Sequence, residues 1–189
     1  MPEFIQRFDE QVLVWIAQHV RSGLLDPLMK VYTQLGDAGM LFIALGLVLL
    51  LFKSTRKAGF SALCAMIIGL VVVNFTIKPL VSRPRPWLVI QNFVNLVPEK
   101  DPNSFPSGHT NAAFAFALAV CMSAPKRWMK ITAVCMAVVM GLSRLYVGVH
   151  FPSDVLVGAL IGALCGLAGA WVVKTAWERL APRLRKDPE

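Results

Sequence analysis

The run VLVGALIGALCGLAGAWVV, residues 155–173, contains no charged side chain. A helix needs ~20 apolar residues to cross a ~30 Å hydrocarbon core, and this run approaches that length. Residues 58–77 come close to the same standard, interrupted only by small or uncharged polar groups. Residues 40–52, 106–124 and 129–149 are less clean candidates, which brings the expected total to about five spans. With 56% of its 189 residues apolar, the chain reads as an all-α integral membrane helical bundle forming a single domain, residues 1–189.

The N-terminus follows a different pattern. Phe4, Phe8, Val12, Trp15 and His19 recur every three or four residues, while Arg7, Glu10 and Gln18 fall elsewhere. This predicts an amphipathic helix over residues 1–23 lying in the membrane interface, with a helix packed on the bundle as the alternative. Glu3, Arg7, Asp9 and Glu10 argue against a signal peptide or a full span.

The net charge of +8 is distributed in a telling way. Lys53, Arg56 and Lys57 share one short connection, and Lys126, Arg127 and Lys130 another; Lys174, Arg179, Arg183, Arg185 and Lys186 lie near the C-terminus. Five spans put all three groups on one side, and the positive-inside rule makes that side cytoplasmic. The charge therefore encodes topology, and nucleic acid is not an expected partner. The bundle is expected over residues 24–177, with a basic cytoplasmic tail at 178–189. Gly158, Gly162, Gly166 and Gly169 give the last span a small-residue face suited to close packing inside the bundle. Cys64, Cys121, Cys135 and Cys165 all fall within spans, without ligand-like pairing, and read as small buried hydrophobes.

Two connections remain for the opposite, outer side, and both are rich in ionisable groups. In KPLVSRPRP, Lys78, Arg83 and Arg85 sit among prolines that hold the chain stiff and extended. Rigid cations at one membrane face suit an anionic ligand, although such residues also snorkel to lipid phosphates. PSGH, residues 106–109, opens a span: Ser107 suits a helix start, Gly108 lets backbone approach a ligand, and a helix N-terminus attracts anions. His109 beside it is either an acid or a simple interfacial group. The third piece, SRLYVGVHFPSD, supplies Ser143, Arg144, His150 and Asp154. Pro152 makes one helix through His150 and Asp154 improbable, so this pair is expected to meet around a turn. A carboxylate on Nδ1 would leave Nε2 free as a nucleophile. The expected active-site loops are residues 78–109 and 143–154.

These three pieces closely resemble the type 2 phosphatidic acid phosphatase superfamily of membrane lipid phosphatases. Its pattern is K-x6-R-P, P-S-G-H and S-R-x5-H-x3-D. Lys78 with Arg85-Pro86 matches the first piece, residues 106–109 the second, and Ser143, Arg144, His150 and Asp154 the third. Many members have six spans, whereas the amphipathic helix stands in place of the first here.

The resemblance implies hydrolysis through a phosphohistidine with no metal and no cofactor. His150 would attack phosphorus, Asp154 would orient its ring, and His109 would act as acid and then base. Lys78, Arg85, Arg144, Ser107 and Gly108 would hold the phosphate oxygens. Arg83, outside the strict motif, is expected to matter less. The resemblance also implies a bacterial cytoplasmic-membrane enzyme whose site faces outward and whose partner is a membrane lipid phosphate or diphosphate. Undecaprenyl diphosphate ranks first among substrates, before phosphatidylglycerol phosphate and phosphatidic acid. A non-catalytic lipid-phosphate binder or transporter is the rival from another class, and a vanadate-dependent peroxidase a third reading. Oligomeric state is not legible.

Overall fold

The computed structural model describes residues 1–184 and is almost wholly helical. In chain order the α-helices are α1 (Glu3–His19), α2 (Leu25–Leu35), α3 (Met40–Leu51), α4 (Arg56–Gly69), α5 (Lys78–Val81), α6 (Pro86–Val89), α7 (Gly108–Ser123), α8 (Arg127–Tyr146) and α9 (Pro152–Leu184). Residues 185–189 of the expected basic tail lie outside the described residues; the part before them continues α9.

Three segments are long and apolar enough to cross a membrane: Arg56–Val81, Arg127–Tyr146 and Pro152–Arg179. A fourth is α2 with α3, bent by 53° where Ala38 and Gly39 take positive φ. The fifth expected run is α7, only 16 residues long and about 24 Å at 1.5 Å per residue. It packs against α4, α8 and α9 and buries Ala113, Ala115, Phe116, Ala117, Ala119 and Val120.

Close approach explains the glycines of α9. A Cβ at Gly158 would lie 2.7 Å from the Ser107 carbonyl, at Gly162 2.4 Å from that of Asn111, and at Gly166 2.9 Å from that of Ala115. Gly169 meets α4, where the Ala65 amide would be 2.6 Å away. The small-residue face is therefore spent inside the bundle, against α7 and α4.

The chain also sorts its charges by end. Ser123 Oγ donates to Ser61 Oγ at 3.0 Å, and the Phe60 and Trp177 ring centroids are 6.3 Å apart. The start of α4, the end of α7 and the far part of α9 thus share one end, and the three basic segments flank it. The segments bearing Lys78, His109 and His150 gather at the other.

Helix α1 packs on α8 and α9. Phe4, Phe8 and Trp15 remain exposed, as an interfacial helix requires, while the opposite face buries Asp9 and Leu13 against the bundle. In the sequence Asp9 only interrupts an apolar segment; in the fold it is buried and pairs with Arg83 at 2.8 Å.

Gly162→Leu forces a branched side chain into the α7 backbone, where overpacking costs about 3 kcal/mol. It is expected to lower the melting temperature in detergent, followed by circular dichroism. Leu160→Ala, at a position 66% exposed on the same helix, should leave it unchanged.

Candidate active site

Between α8 and α9 the chain reverses through residues 147–151. Gly148 takes φ 79° there, and a Cβ would meet the Arg21 guanidinium at 2.5 Å, so only glycine fits. Pro152 opens α9, a position where its missing N–H costs nothing. Asp154 then sits in the first turn and accepts the Phe151 N–H through Oδ2 at 2.9 Å. This caps the helix and brings Asp154 beneath His150: Nδ1 lies 3.6 Å from Oδ2, just beyond hydrogen-bond length. The pair meets around a turn, as Pro152 implies.

On the other ring edge, Arg85 Nη1 lies 3.1 Å from His150 Nε2. A guanidinium only donates, so Nε2 accepts and the ring proton resides on Nδ1, facing Asp154. Burial, and then Arg85, Arg144 and Lys78, hold the His150 pKa well below the usual histidine value. The ring is consequently a neutral base with its lone pair toward the cations, the state a nucleophile needs.

Those cations are tightly partnered. Lys78 donates to Asp101 Oδ2 at 2.5 Å, Arg144 to Glu99 Oε2 at 3.0 Å and to Thr33 Oγ1 at 2.7 Å. Arg85 donates to the carbonyls of Asp101 and Val149, both at 2.9 Å, and lies 3.5 Å from Glu99. Burial lowers the Arg85 pKa, and Glu99 and Asp101 oppose that effect. Arg144 Nε is buried without a hydrogen-bond partner. Two carboxylates from the loop between α6 and α7 thus balance three cations, a role sequence reasoning missed because neither carboxylate belongs to a motif.

Ser107 is the N-cap of α7; its Oγ accepts from Thr110 N at 3.4 Å and Thr110 Oγ1 at 2.9 Å. Gly108 packs beside Asn74, 3.3 Å from where its Cβ would be. His109, one residue on, contacts Asp37 Oδ1 through Nε2 at 2.9 Å. Asp37 belongs to the break between α2 and α3, so the bend in that span delivers a carboxylate to the second histidine. Nothing in the spacing of the sequence pairs these two residues.

Lys78, Arg85, Gly108, His109 and His150 line a common cavity of about 720 Å³. Ser107, Arg144 and Asp154, each at most 1% exposed, support it from behind. The cavity continues along an apolar wall of Ile43, Leu63, Met66, Ile67 and Leu70. A π-helical stretch, Leu70–Ile77, connects that wall to Lys78, whose N–H bonds the carbonyl of Val73. Among the described residues, no cluster of His, Cys, Asp or Glu has the arrangement to hold a metal ion.

Arg83, outside the strict motif, lies deep in the structure. It is buried, and its Nη1 donates to Asp154 Oδ1 at 2.6 Å and Ser153 Oγ at 2.8 Å. Nη2 donates to Asp9 Oδ2 at 2.8 Å and Gln6 Oε1 at 2.6 Å.

Residues 58–178 match the PAP2 superfamily. An undecaprenyl-diphosphatase of Sulfolobus acidocaldarius is 38% identical over 119 residues, 61% of this chain and 55% of that protein. The chain thus spans about half that relative's length. A lipid A 4'-phosphatase of Bacteroides thetaiotaomicron is 28% identical over 199 residues, covering 99% of this chain and 84% of that protein. The crystal structure of a transmembrane PAP2-type phosphatidylglycerolphosphate phosphatase from Bacillus subtilis superposes with a TM-score of 0.71 at 28% identity, covering 94% of this chain and 88% of that one.

Glu99 competes with any anion for Arg85 and Arg144. Glu99→Gln is expected to lower the inhibition constant of inorganic phosphate several-fold, read from inhibition of turnover. An unchanged or higher constant would mean that Glu99 does not screen the cations.

Proposed function

Since the chain belongs to the PAP2 superfamily, we propose that it is a membrane lipid phosphatase that works through a phosphohistidine on His150 and acts on undecaprenyl diphosphate. The observation that carries this reading is His150 itself: a buried neutral ring, backed by Asp154 and turned with Nε2 toward Arg85 in a cavity with an apolar wall.

In the first step Nε2 attacks the terminal phosphorus in line, forming a P–N bond as the bond to the leaving oxygen breaks. Lys78, Arg85 and the Gly108 N–H take the equatorial oxygens, where charge stabilisation counts most, and Arg144 adds its positive charge from behind them. Ser107 contributes by fixing the start of α7, with its hydroxyl engaged as the cap. The Asp154 carboxylate stabilises the cationic phosphoimidazole. His109 faces Asp37 through Nε2; once the ring takes up a proton together with the anionic head group, Nε2–H stays with Asp37 and Nδ1–H passes to the leaving oxygen. In the second step His109 takes a proton from water, whose oxygen attacks phosphorus. The P–N bond breaks, the electron pair returns to Nε2, and inorganic phosphate leaves.

Three considerations support the substrate. The apolar wall suits a lipid tail and the cation cluster suits a charged head group. An undecaprenyl-diphosphatase is among the relatives, 38% identical over 119 residues. The site lies at the end away from the basic segments, which the positive-inside rule makes the outer face. A non-catalytic binder has no use for two histidines each held by a carboxylate.

Phosphate release by detergent-purified protein in EDTA tests this reading, with undecaprenyl diphosphate, phosphatidylglycerol phosphate, phosphatidic acid and lipid A at equal surface concentration. The diphosphate is expected to turn over fastest, undiminished by the chelator. His150→Ala should abolish release without lowering the melting temperature, and Arg144→Ala should be nearly as severe. Preference for a glycerolipid or lipid A overturns the substrate. Release that persists in His150→Ala overturns the mechanism, and no release at all from wild type favours the binder.

A further inference from the structure

We propose that Asp9, on the N-terminal helix, is a positioning residue for catalysis: acting through Arg83, it keeps Asp154 in place and its negative charge available to His150. The inference rests on the nucleophile assignment above and concerns a residue outside every motif of the site.

Three ionised side chains stack behind His150. Asp154 lies against the ring, Arg83 behind Asp154, and Asp9 behind Arg83, with side chains 0%, 5% and 1% exposed. Both arms of the guanidinium are used: Nη1 faces Asp154 and Ser153, and Nη2 faces Asp9 and Gln6. The plane also stacks on Phe151, 4.1 Å from the ring centroid, so the fork cannot swing away. Asp9 reaches further. Its Oδ1 accepts the Ser153 N–H at 3.0 Å and its Oδ2 the Ser153 hydroxyl, so a carboxylate from α1 caps the first turn of α9.

Charge accounts for the arrangement. Asp154 has to stabilise the cationic ring formed when Nε2 bonds phosphorus. An arginine at 2.6 Å would by itself cancel that carboxylate. A second buried carboxylate on the far arm of the arginine returns the group Asp9–Arg83–Asp154 to a net charge of −1. Low local dielectric makes this balance felt at His150 and makes an unpaired member costly. Neither Asp9 nor Arg83 lines the cavity, so their effect falls on the chemical step and not on substrate binding.

The experiment measures kcat and KM for Asp9→Asn, Arg83→Gln and the double variant, each with its melting temperature. Asp9→Asn, nearly isosteric, is expected to stay folded and to lose about tenfold in kcat, as outer-sphere positioning partners do, with KM unchanged. Arg83→Gln leaves two buried carboxylates without a counter-ion and is expected to lose more. The double variant removes one charge of each sign, restores net −1, and should recover kcat above the Arg83→Gln level. A purely structural cap predicts the opposite: a lowered melting temperature, wild-type kcat in the folded fraction, and a double variant worse than either single. Wild-type kcat in Asp9→Asn, or a change confined to KM, overturns the proposal. Should Arg83→Gln fail to fold, recovery of folding and kcat in the double variant supports the charge balance, and failure of the double variant as well refutes it. Loss of His150 dependence in wild type would instead be a failure of the nucleophile assignment.

Discussion

An ionised group taken out of water is costly unless another group compensates its lost hydration, and the end of this bundle that bears His150 is organised around that requirement. Lys78, Arg83, Arg85 and Arg144 are all buried there, as are His150 and Asp154. Each cation has a carboxylate: Asp101 for Lys78, Glu99 for Arg144 and Arg85, and Asp9 with Asp154 for Arg83. These partners come from the N-terminal helix, the loop before α7 and the start of α9. The polar site and the fold of this end of the bundle are therefore one object. The loop between α6 and α7 is held by Ser104 N–H on the Arg83 carbonyl, at 2.7 Å, and by its acids on the cations.

The rest of the bundle supplies rigidity. Glycines and alanines bring α9 onto α7 and α4 until side chain meets backbone. Helices packed this closely fix the position of Ser107, whose N–H bonds the Asp154 carbonyl at 3.1 Å. His109 and His150 come from different connections, and this contact between the starts of α7 and α9 ties those connections together. Preorganisation of this kind lets fixed cations stabilise developing charge without reorganising.

Much of this was legible in sequence, for a physical reason. Apolar runs and basic turns are local signals, so the helices and the clustering of Lys78, His109 and His150 at one end followed from composition and spacing. The meeting of His150 and Asp154 around Pro152 followed from what proline forbids. What escaped was the set of carboxylates. Asp9, Asp37, Glu99 and Asp101 are far in sequence from the groups they pair with, and a single acid carries no periodicity. Asp9 read as an interruption of an apolar helix, although it is among the most buried charged groups in the bundle. Arg83 ranks below the motif cations in the sequence for the same reason: the side chains it joins, Asp9 and Asp154, are brought together only by the fold.

The central claim is that phosphorus passes through Nε2 of His150. Rapid acid-free quenching of the enzyme with substrate labelled in its terminal phosphate, followed by peptide mapping, tests it most directly. The expected label is stable to base, labile to acid and located on the peptide containing His150, and it accumulates when His109 is replaced by Gln while some attack persists. Turnover with label on no peptide, or label on another residue, would contradict it.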